Sequence, residues 1–239
     1  MAPTLVLLHG FTHTGASWDP VRSELGERYR GLAPDIRGHG SASGSEPVTL
    51  GGVLGDIEAV SPERFALAGY SMGGRIGLHV ALADPARVER LILIGASPGI
   101  ADPAEREERR REDERLANEL EGSGIEAFAD RWSRAPVLTG QPRSVREAAR
   151  ADRLRSTPTG LASALRGLGT GALPSLWDRL AELATPVVLV VGERDQKFRA
   201  LAEEMRRSIP EARLEVARGC GHAVHLEAPR QVADIIAST

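Results

Sequence analysis

A single cysteine, Cys220, stands among 239 residues, so no intrachain disulfide can frame this chain, and it suits a reducing compartment. Lysine is almost missing as well: of 30 basic residues only Lys197 is not arginine. That bias fits codon composition, and arginine richness alone signals no function. Long apolar runs are lacking. Leu5–Leu8 and Val187–Val191 are far too short to span a bilayer. The opening Met1-Ala2-Pro3-Thr4 carries no basic segment, and the leucine-rich run passes straight into His9-Gly10. That pattern is a core strand feeding a turn, not a signal peptide, and a cytoplasmic location is expected. A net charge of −3 argues against a general binder of nucleic acid or of a membrane surface. No His/Cys/Asp cluster has metal-ligand spacing and no phosphate-binding P-loop occurs, so neither a metal nor another cofactor is expected.

What the chain does have is an ordinary globular composition, 41% hydrophobic and 26% charged, in a length that suits one large domain or one domain with an insertion. Short aliphatic runs alternate with helical patterns, the signature of βαβ units and a parallel sheet. The strand candidates are Thr4–Leu8, Gly31–Pro34, Arg64–Leu67, Val88–Ile94, Pro186–Val191 and Arg213–Val216. Their nearly continuous apolar character is expected of strands covered by helices on both faces. Between them, Trp18, Val21 and Leu25 share one helix face, as do Val53, Leu54 and Ile57. Further helices are expected near Met72–Ala83, Leu201–Ser208 and Pro229–Ala237. The alternation breaks between about Ser97 and Leu173, where helix follows helix from the charged run Glu105–Arg115 onward. A structureless loop of that length is improbable in a compact domain. Residues 97–173 are therefore expected to form a helical lid inserted into a core of residues 1–96 and 174–239.

The sharpest chemical signal is Gly69-Tyr70-Ser71-Met72-Gly73-Gly74, which follows a strand and opens a helix. This is G-x-S-x-G in its strand–turn–helix context, where small residues permit a strained turn that exposes the serine hydroxyl. Such a hydroxyl needs a base, and the base an orienting carboxylate. Val187–Val191 runs into Gly192-Glu193-Arg194-Asp195, and Arg213–Val216 is followed by Gly219-Cys220-Gly221-His222. Taken singly, Asp195 could cap a helix and His222 could be a polar loop residue. Three such residues at strand ends, in the order Ser71, Asp195, His222, make a catalytic triad the better reading. Glu193 and His225 are the rival acid and base. His9-Gly10-Phe11 follows the first strand, so the Phe11 and Met72 amides are expected to form an oxyanion hole. His9 is expected to shape this loop, His13 and His39 to brace the pocket mouth, His79 and Cys220 to serve packing.

The elbow, the His9-Gly10-Phe11 loop, the Pro34-Asp35-Ile36-Arg37-Gly38-His39-Gly40 segment and the Gly219–His222 ending together resemble the α/β-hydrolase superfamily over essentially the whole chain. The fold implied is an α/β-hydrolase fold, a mostly parallel sheet flanked by helices with an inserted helical lid. A narrower likeness rests on Arg75 directly after the elbow, Ser97-Pro98-Gly99 before an arginine-rich helix, Phe128-Ala129-Asp130-Arg131-Trp132, and Gly192-Glu193-Arg194-Asp195-Gln196-Lys197-Phe198-Arg199-Ala200-Leu201. These look like the 2-succinyl-6-hydroxy-2,4-cyclohexadiene-1-carboxylate synthases of menaquinone biosynthesis. The resemblance implies a lyase whose activated serine abstracts a proton beside a succinyl ketone, with departure of pyruvate and no cofactor. It implies three arginines that grip a small polycarboxylate, mapping onto Arg75, Arg109 and Arg155. It further implies Trp132 as a lid aromatic against substrate and Tyr70 as neighbour of the nucleophile.

The arginines make sense physically, because guanidinium forks match carboxylates two-pronged. Glu and Asp interleave with those of 105–115, so most should solvate a helix face through i, i+4 pairs. The triad serves a serine carboxylesterase or small-molecule hydrolase equally well, and a non-catalytic ligand-binding module of the same fold is the non-enzyme alternative. Haloalkane dehalogenase and epoxide hydrolase chemistry is disfavoured because serine, not aspartate, occupies the elbow. Oligomeric state is left open, with a monomer compatible.

Overall fold

A computed structural model describes residues 2–238. The elements run β1 (Thr4–Leu8), α1 (Asp19–Leu25), β2 (Arg30–Leu32), α2 (Leu50–Val60), β3 (Phe65–Tyr70), α3 (Met72–Ala83) and β4 (Val88–Ile94). Then come α4 (Pro103–Ser123), α5 (Ile125–Trp132), α6 (Arg143–Arg153) and α7 (Pro158–Leu168), followed by β5 (Val187–Gly192), α8 (Gln196–Ser208), β6 (Arg213–Ala217), α9 (Val224–Glu227) and α10 (Pro229–Ala237). The six strands form one sheet in the order β2-β1-β3-β4-β5-β6, and every neighbouring pair is parallel. Expectation and structure differ mainly at edges: β3 continues through Gly69 and Tyr70 to the elbow, and β2 shortens to three residues.

Strand side chains alternate between faces, and here both faces are buried. Leu5 and Leu7 join a cluster with Trp18, Val21, Leu25, Val232 and Ile236 from α1, α10 and their approaches. Val6 and Leu8 join one with Val53, Ile57, Ile76 and Met205 from α2, α3 and α8. Continuous apolar strands follow directly from this two-sided burial.

Between β4 and β5 the chain leaves the sheet for α4–α7. Helix α4 starts where the Asp102 carboxylate caps the Ala104 and Glu105 amides beside Pro103, and it ends at Gly124 with φ 80°. Its composition is mostly charged, so α4 is fastened by a narrow seam. Ala117 and Leu120 pack with Phe128, Leu161, Ala162 and Leu165, and Arg166 of α7 reaches Glu114, Asn118 and Glu121 of α4. Among the described residues no helix is long and apolar enough to cross a membrane.

Candidate active site

The C-terminal ends of parallel strands are where α/β sheets place ligands. Ser71 follows β3, Asp195 follows β5, and His222 lies on the loop after β6. Ser71 has φ 50° and ψ −110°, a strained conformation for a residue with a side chain. The close crossing around it requires glycine: a Cβ on Gly73 would lie 2.2 Å from the Leu8 carbonyl oxygen, and one on Gly69 would lie 2.4 Å from the Gly73 carbonyl oxygen.

The three residues meet. Ser71 Oγ lies 3.2 Å from His222 Nε2, and His222 Nδ1 lies 2.6 Å from Asp195 Oδ2. With the carboxylate accepting from Nδ1–H, Nε2 is left free to accept the serine proton. Asp195 also caps α8, its Oδ1 accepting from the Phe198 amide, so the capping role and the triad position belong to one carboxylate. The rivals stand aside. Glu193 is exposed and accepts from the Gly219 amide at 2.8 Å, bracing the histidine loop. Glu227 braces it too, accepting from the Gly221 amide and from Arg194 Nη2, each at 2.9 Å. His225 is fully buried, its ring tilted against that of Tyr70 at 4.2 Å, with neither ring nitrogen partnered.

Behind β1 the loop His9–Thr14 lies beside the nucleophile, since a Cβ on Gly10 would come 3.4 Å from Ser71 Cβ. His9 Nε2 accepts from the Ile36 amide at 2.9 Å, which leaves Nδ1–H to donate to Gly10 O. Burial lowers the pKa of this neutral imidazole to about 4. His9 therefore shapes the loop and does not transfer protons. His39 is fully buried 4.9 Å from His9, its pKa lowered to about 3 by burial and then by His9. His79 is likewise buried on α3, brought down to about 4 by desolvation and the nearby Arg75. Cys220 packs in the core, and burial pushes its thiol up. Met72 N opens α3, where a helix amide has no intrahelical acceptor, and Phe11 N also lacks a backbone acceptor among the described residues.

The expected substrate arginines differ in burial and partners. Arg75 is buried, donating from Nη1 to Thr170 Oγ1 at 2.8 Å and from Nη2 to Leu168 O at 3.1 Å, while its Nε has no partner. Burial, reinforced by Arg109, brings its pKa down to about 10. It forms no ion pair with any described carboxylate within 4 Å. Arg109 is partly exposed and paired to the buried Asp113 at 2.8 Å. Arg110, Arg111 and Arg115 are exposed and pair with Glu107 and Glu108 on their own helix, as their acid-rich sequence predicts.

The third expected arginine stands differently from Arg75. Arg155 is exposed, two residues past the end of α6. Close to it in sequence, Arg153 is a second buried cation, 1% exposed, which donates from Nε to Thr12 Oγ1 at 3.1 Å and from Nη1 to Ser133 Oγ at 2.9 Å. Burial lowers its pKa to about 10, with Tyr70 and Asp152 opposing. The helix carries its arginines at 143, 146, 150 and 153, and only the last is turned inward, because the last turn of α6 meets the β1 loop. Sequence reasoning passed over Arg153, and also Asp152, whose oxygens engage His13 and Thr14. The i, i+3, i+4 spacing of buried Ala149, Asp152 and Arg153 is the only signal that could have found them.

Tyr70 is buried, its ring 5.2 Å from that of His222, and burial pushes its hydroxyl above the ordinary tyrosine value. Trp132 is half-buried, edge-on to Phe11 at 5.4 Å and stacked with Phe128 at 5.5 Å. An aromatic from the helices between β4 and β5 thus touches the residue that follows Gly10. Among the described residues no group of three or more potential ligands could hold a metal ion.

The sequence matches the alpha/beta hydrolase family over residues 5–235. It is 37% identical over 242 residues to a putative 2-succinyl-6-hydroxy-2,4-cyclohexadiene-1-carboxylate synthase of Bacillus subtilis, covering 97% of this chain and 88% of that one. It is 35% identical over 247 residues to the synthase of the same name from Salmonella schwarzengrund, covering 99% and 93%. In three dimensions it superposes on MenH from S. aureus with a TM-score of 0.92 at 31% identity, over 99% of this chain and 92% of the other. The elbow, the ordered triad and full-length likeness agree, and the chain belongs to the α/β-hydrolase family and, within it, to the 2-succinyl-6-hydroxy-2,4-cyclohexadiene-1-carboxylate synthases.

Proposed function

We propose that this protein is a lyase of menaquinone biosynthesis that eliminates pyruvate from 2-succinyl-5-enolpyruvyl-6-hydroxy-3-cyclohexene-1-carboxylate. His222, oriented by Asp195, takes the Ser71 proton. Ser71 Oγ then removes the proton beside the succinyl ketone. The Phe11 and Met72 amides hold the charge that develops on that ketone oxygen, and they act best from a site where water is excluded. The electron pair moves through the ring, the carbon–oxygen bond to the enolpyruvyl group breaks, and the departing enolate leaves as pyruvate after taking a proton. Residues 97–173 serve as the lid, with Trp132 closing over Phe11.

The observation that carries this reading is the pair of buried guanidiniums, Arg75 on the helix that follows Ser71 and Arg153 at the end of α6 against the β1 loop. Neither forms an ion pair with a described carboxylate within 4 Å. Leaving a desolvated cation without a charge partner is costly, and substrate carboxylates compensate that cost. An esterase with an apolar acyl pocket has no use for such cations. Arg109 supports them from the rim, its charge shared with Asp113. Tyr70 lines the floor between His222 and Arg153.

The deciding experiment measures pyruvate release from the enolpyruvyl cyclohexene beside hydrolysis of short-chain nitrophenyl esters. Fast pyruvate release with feeble ester turnover is expected. Efficient ester hydrolysis without pyruvate would transfer the protein to the carboxylesterases, and ligand binding with no turnover at an intact Ser71 would make it a binding module.

A further inference from the structure

The final turn of α6 and the loop after Phe11 meet through adjacent residues. Asp152, buried at 8% exposure, accepts at Oδ2 from the Thr14 amide at 3.0 Å and from His13 Nδ1 at 3.1 Å. Its Oδ1 accepts from Thr14 Oγ1 at 2.5 Å. Arg153 donates to Thr12 of the same loop. Thr12 itself is at φ 70°, a conformation that a β-branched residue keeps only when its surroundings over-determine it. Residues 12–14 are thus gripped by 152 and 153 together. Both Asp152 oxygens are occupied by the loop, which leaves the Arg153 guanidinium available to an anion.

We infer that Asp152 is a positioning residue: it locks the end of α6 onto residues 13 and 14 and so sets where Arg153 meets a substrate carboxylate. The inference deepens the proposed function and rests on its assignment of Arg153 to substrate binding. Asp152 reaches substrate only through its neighbour. A distance error of one ångström in a carboxylate clamp is enough to lose much of its effect, and a helix end held by one acid is a fulcrum of that kind. The locking depends on hydrogen-bond shape more than on charge. An asparagine at 152 can still accept from the Thr14 amide and His13, while its NH2 donates to the Thr14 hydroxyl, which accepts as readily as it donates. An alanine does neither.

The test is a double-mutant cycle on the full chain with Asp152→Ala, Arg153→Ala and the double variant, and with Asp152→Asn as the conservative rescue. Four quantities are read: kcat and KM for pyruvate release, the inhibition constant of tricarballylate as a simple tricarboxylate probe, and Tm. Asp152→Ala is expected to raise KM and weaken tricarballylate about tenfold or more, and Asp152→Asn to stay within about threefold of wild type. In the Arg153→Ala background the Asp152→Ala change is expected to shrink below about threefold, because the two act as one unit. Full additivity overturns the inference. So does an Asp152→Ala protein whose Tm falls while KM and tricarballylate inhibition stay within about twofold. Should Asp152→Ala fail to fold, His13→Ala removes one donor and leaves the carboxylate. It is expected to raise KM by a smaller factor, and that rise must vanish in the Arg153→Ala background. The two readings fail separately. A wild type that releases no pyruvate but shows the coupled cycle in tricarballylate binding, measured directly, loses the reaction and keeps the positioning. A wild type that releases pyruvate with an additive cycle keeps the reaction and loses the positioning.

Discussion

Asp195 and His222, 27 positions apart in sequence, are joined at 2.6 Å through Oδ2 and Nδ1, while the second Asp195 oxygen caps α8 at the Phe198 amide. One carboxylate thus fixes an imidazole tautomer and the start of a helix. Local structure and catalysis are coupled at a single side chain, and substitution separates them.

Asp195→Asn keeps a good helix cap but offers an NH2 where His222 needs an acceptor, so the wrong tautomer faces Ser71. Pyruvate release is expected to fall by about 10⁴-fold, the scale seen for this change in serine-protease triads, with little change in Tm. Asp195→Ala is expected to lose comparable activity and also about 1 kcal/mol of stability. Stopped-flow pyruvate detection and thermal melts check both. An Asn variant that loses Tm but keeps rate would refute the assignment.

Arg75→Ala removes a buried guanidinium from the serine's own helix. Hydrogen bonds to charged groups contribute about 1.5–3 kcal/mol each, so kcat/KM is expected to drop roughly 10- to 100-fold. Arg110→Ala, which breaks only a solvent-exposed pair with Glu107, is expected to stay within about twofold. Equal losses at both positions would remove the case for a carboxylate grip.

Arg153 is buried and Arg155, two residues on, is exposed. Arg153→Ala is expected to reduce kcat/KM by about tenfold or more, and Arg155→Ala to leave it within about twofold. Steady-state kinetics on the two single variants settle the choice. The reverse order would return the substrate contact to Arg155.

His9, His39 and His79 should make the protein acid-sensitive. Their folded pKa values, about 4, about 3 and about 4, lie below the ordinary histidine value of 6.5. Between those values and 6.5 the unfolded chain binds protons that the native state refuses. Stability therefore rises with pH through that window and flattens above it. Each histidine adds a slope of up to about 1.4 kcal/mol per pH unit. Urea unfolding midpoints are expected to fall steadily as pH is lowered from 6.5 toward 4. Midpoints that hold level or rise over that interval would mean these imidazoles are protonated in the folded protein.

Much of the framework was legible because the physics behind it is local. Strands buried on both faces read as unbroken apolar runs, and all six expected strands lie within about three residues of their places at both ends. The elbow was legible because only glycine tolerates the contact of Gly73 with Leu8. The α4 arginines were legible because acids one turn away claim them. Helix α6 was not legible. Its sequence, Arg143 to Arg153, presents no broad apolar stripe, and its buried positions near the site are Ala149, Asp152 and Arg153. With polar residues turned inward, hydrophobic periodicity cannot say which face meets the core.

By itself, then, the sequence determined the parallel sheet and the strained serine, and it put forward Asp195 and His222 as candidates for acid and base, since each follows from residue types that permit few alternatives at short range. The partnership of Asp195 with His222, the burial of Arg153, and the seating of Thr12–Thr14 against α6 were decided only by the tertiary structure. These pairings join segments as much as 141 residues apart, and which desolvated polar groups find each other depends on packing that no local pattern encodes.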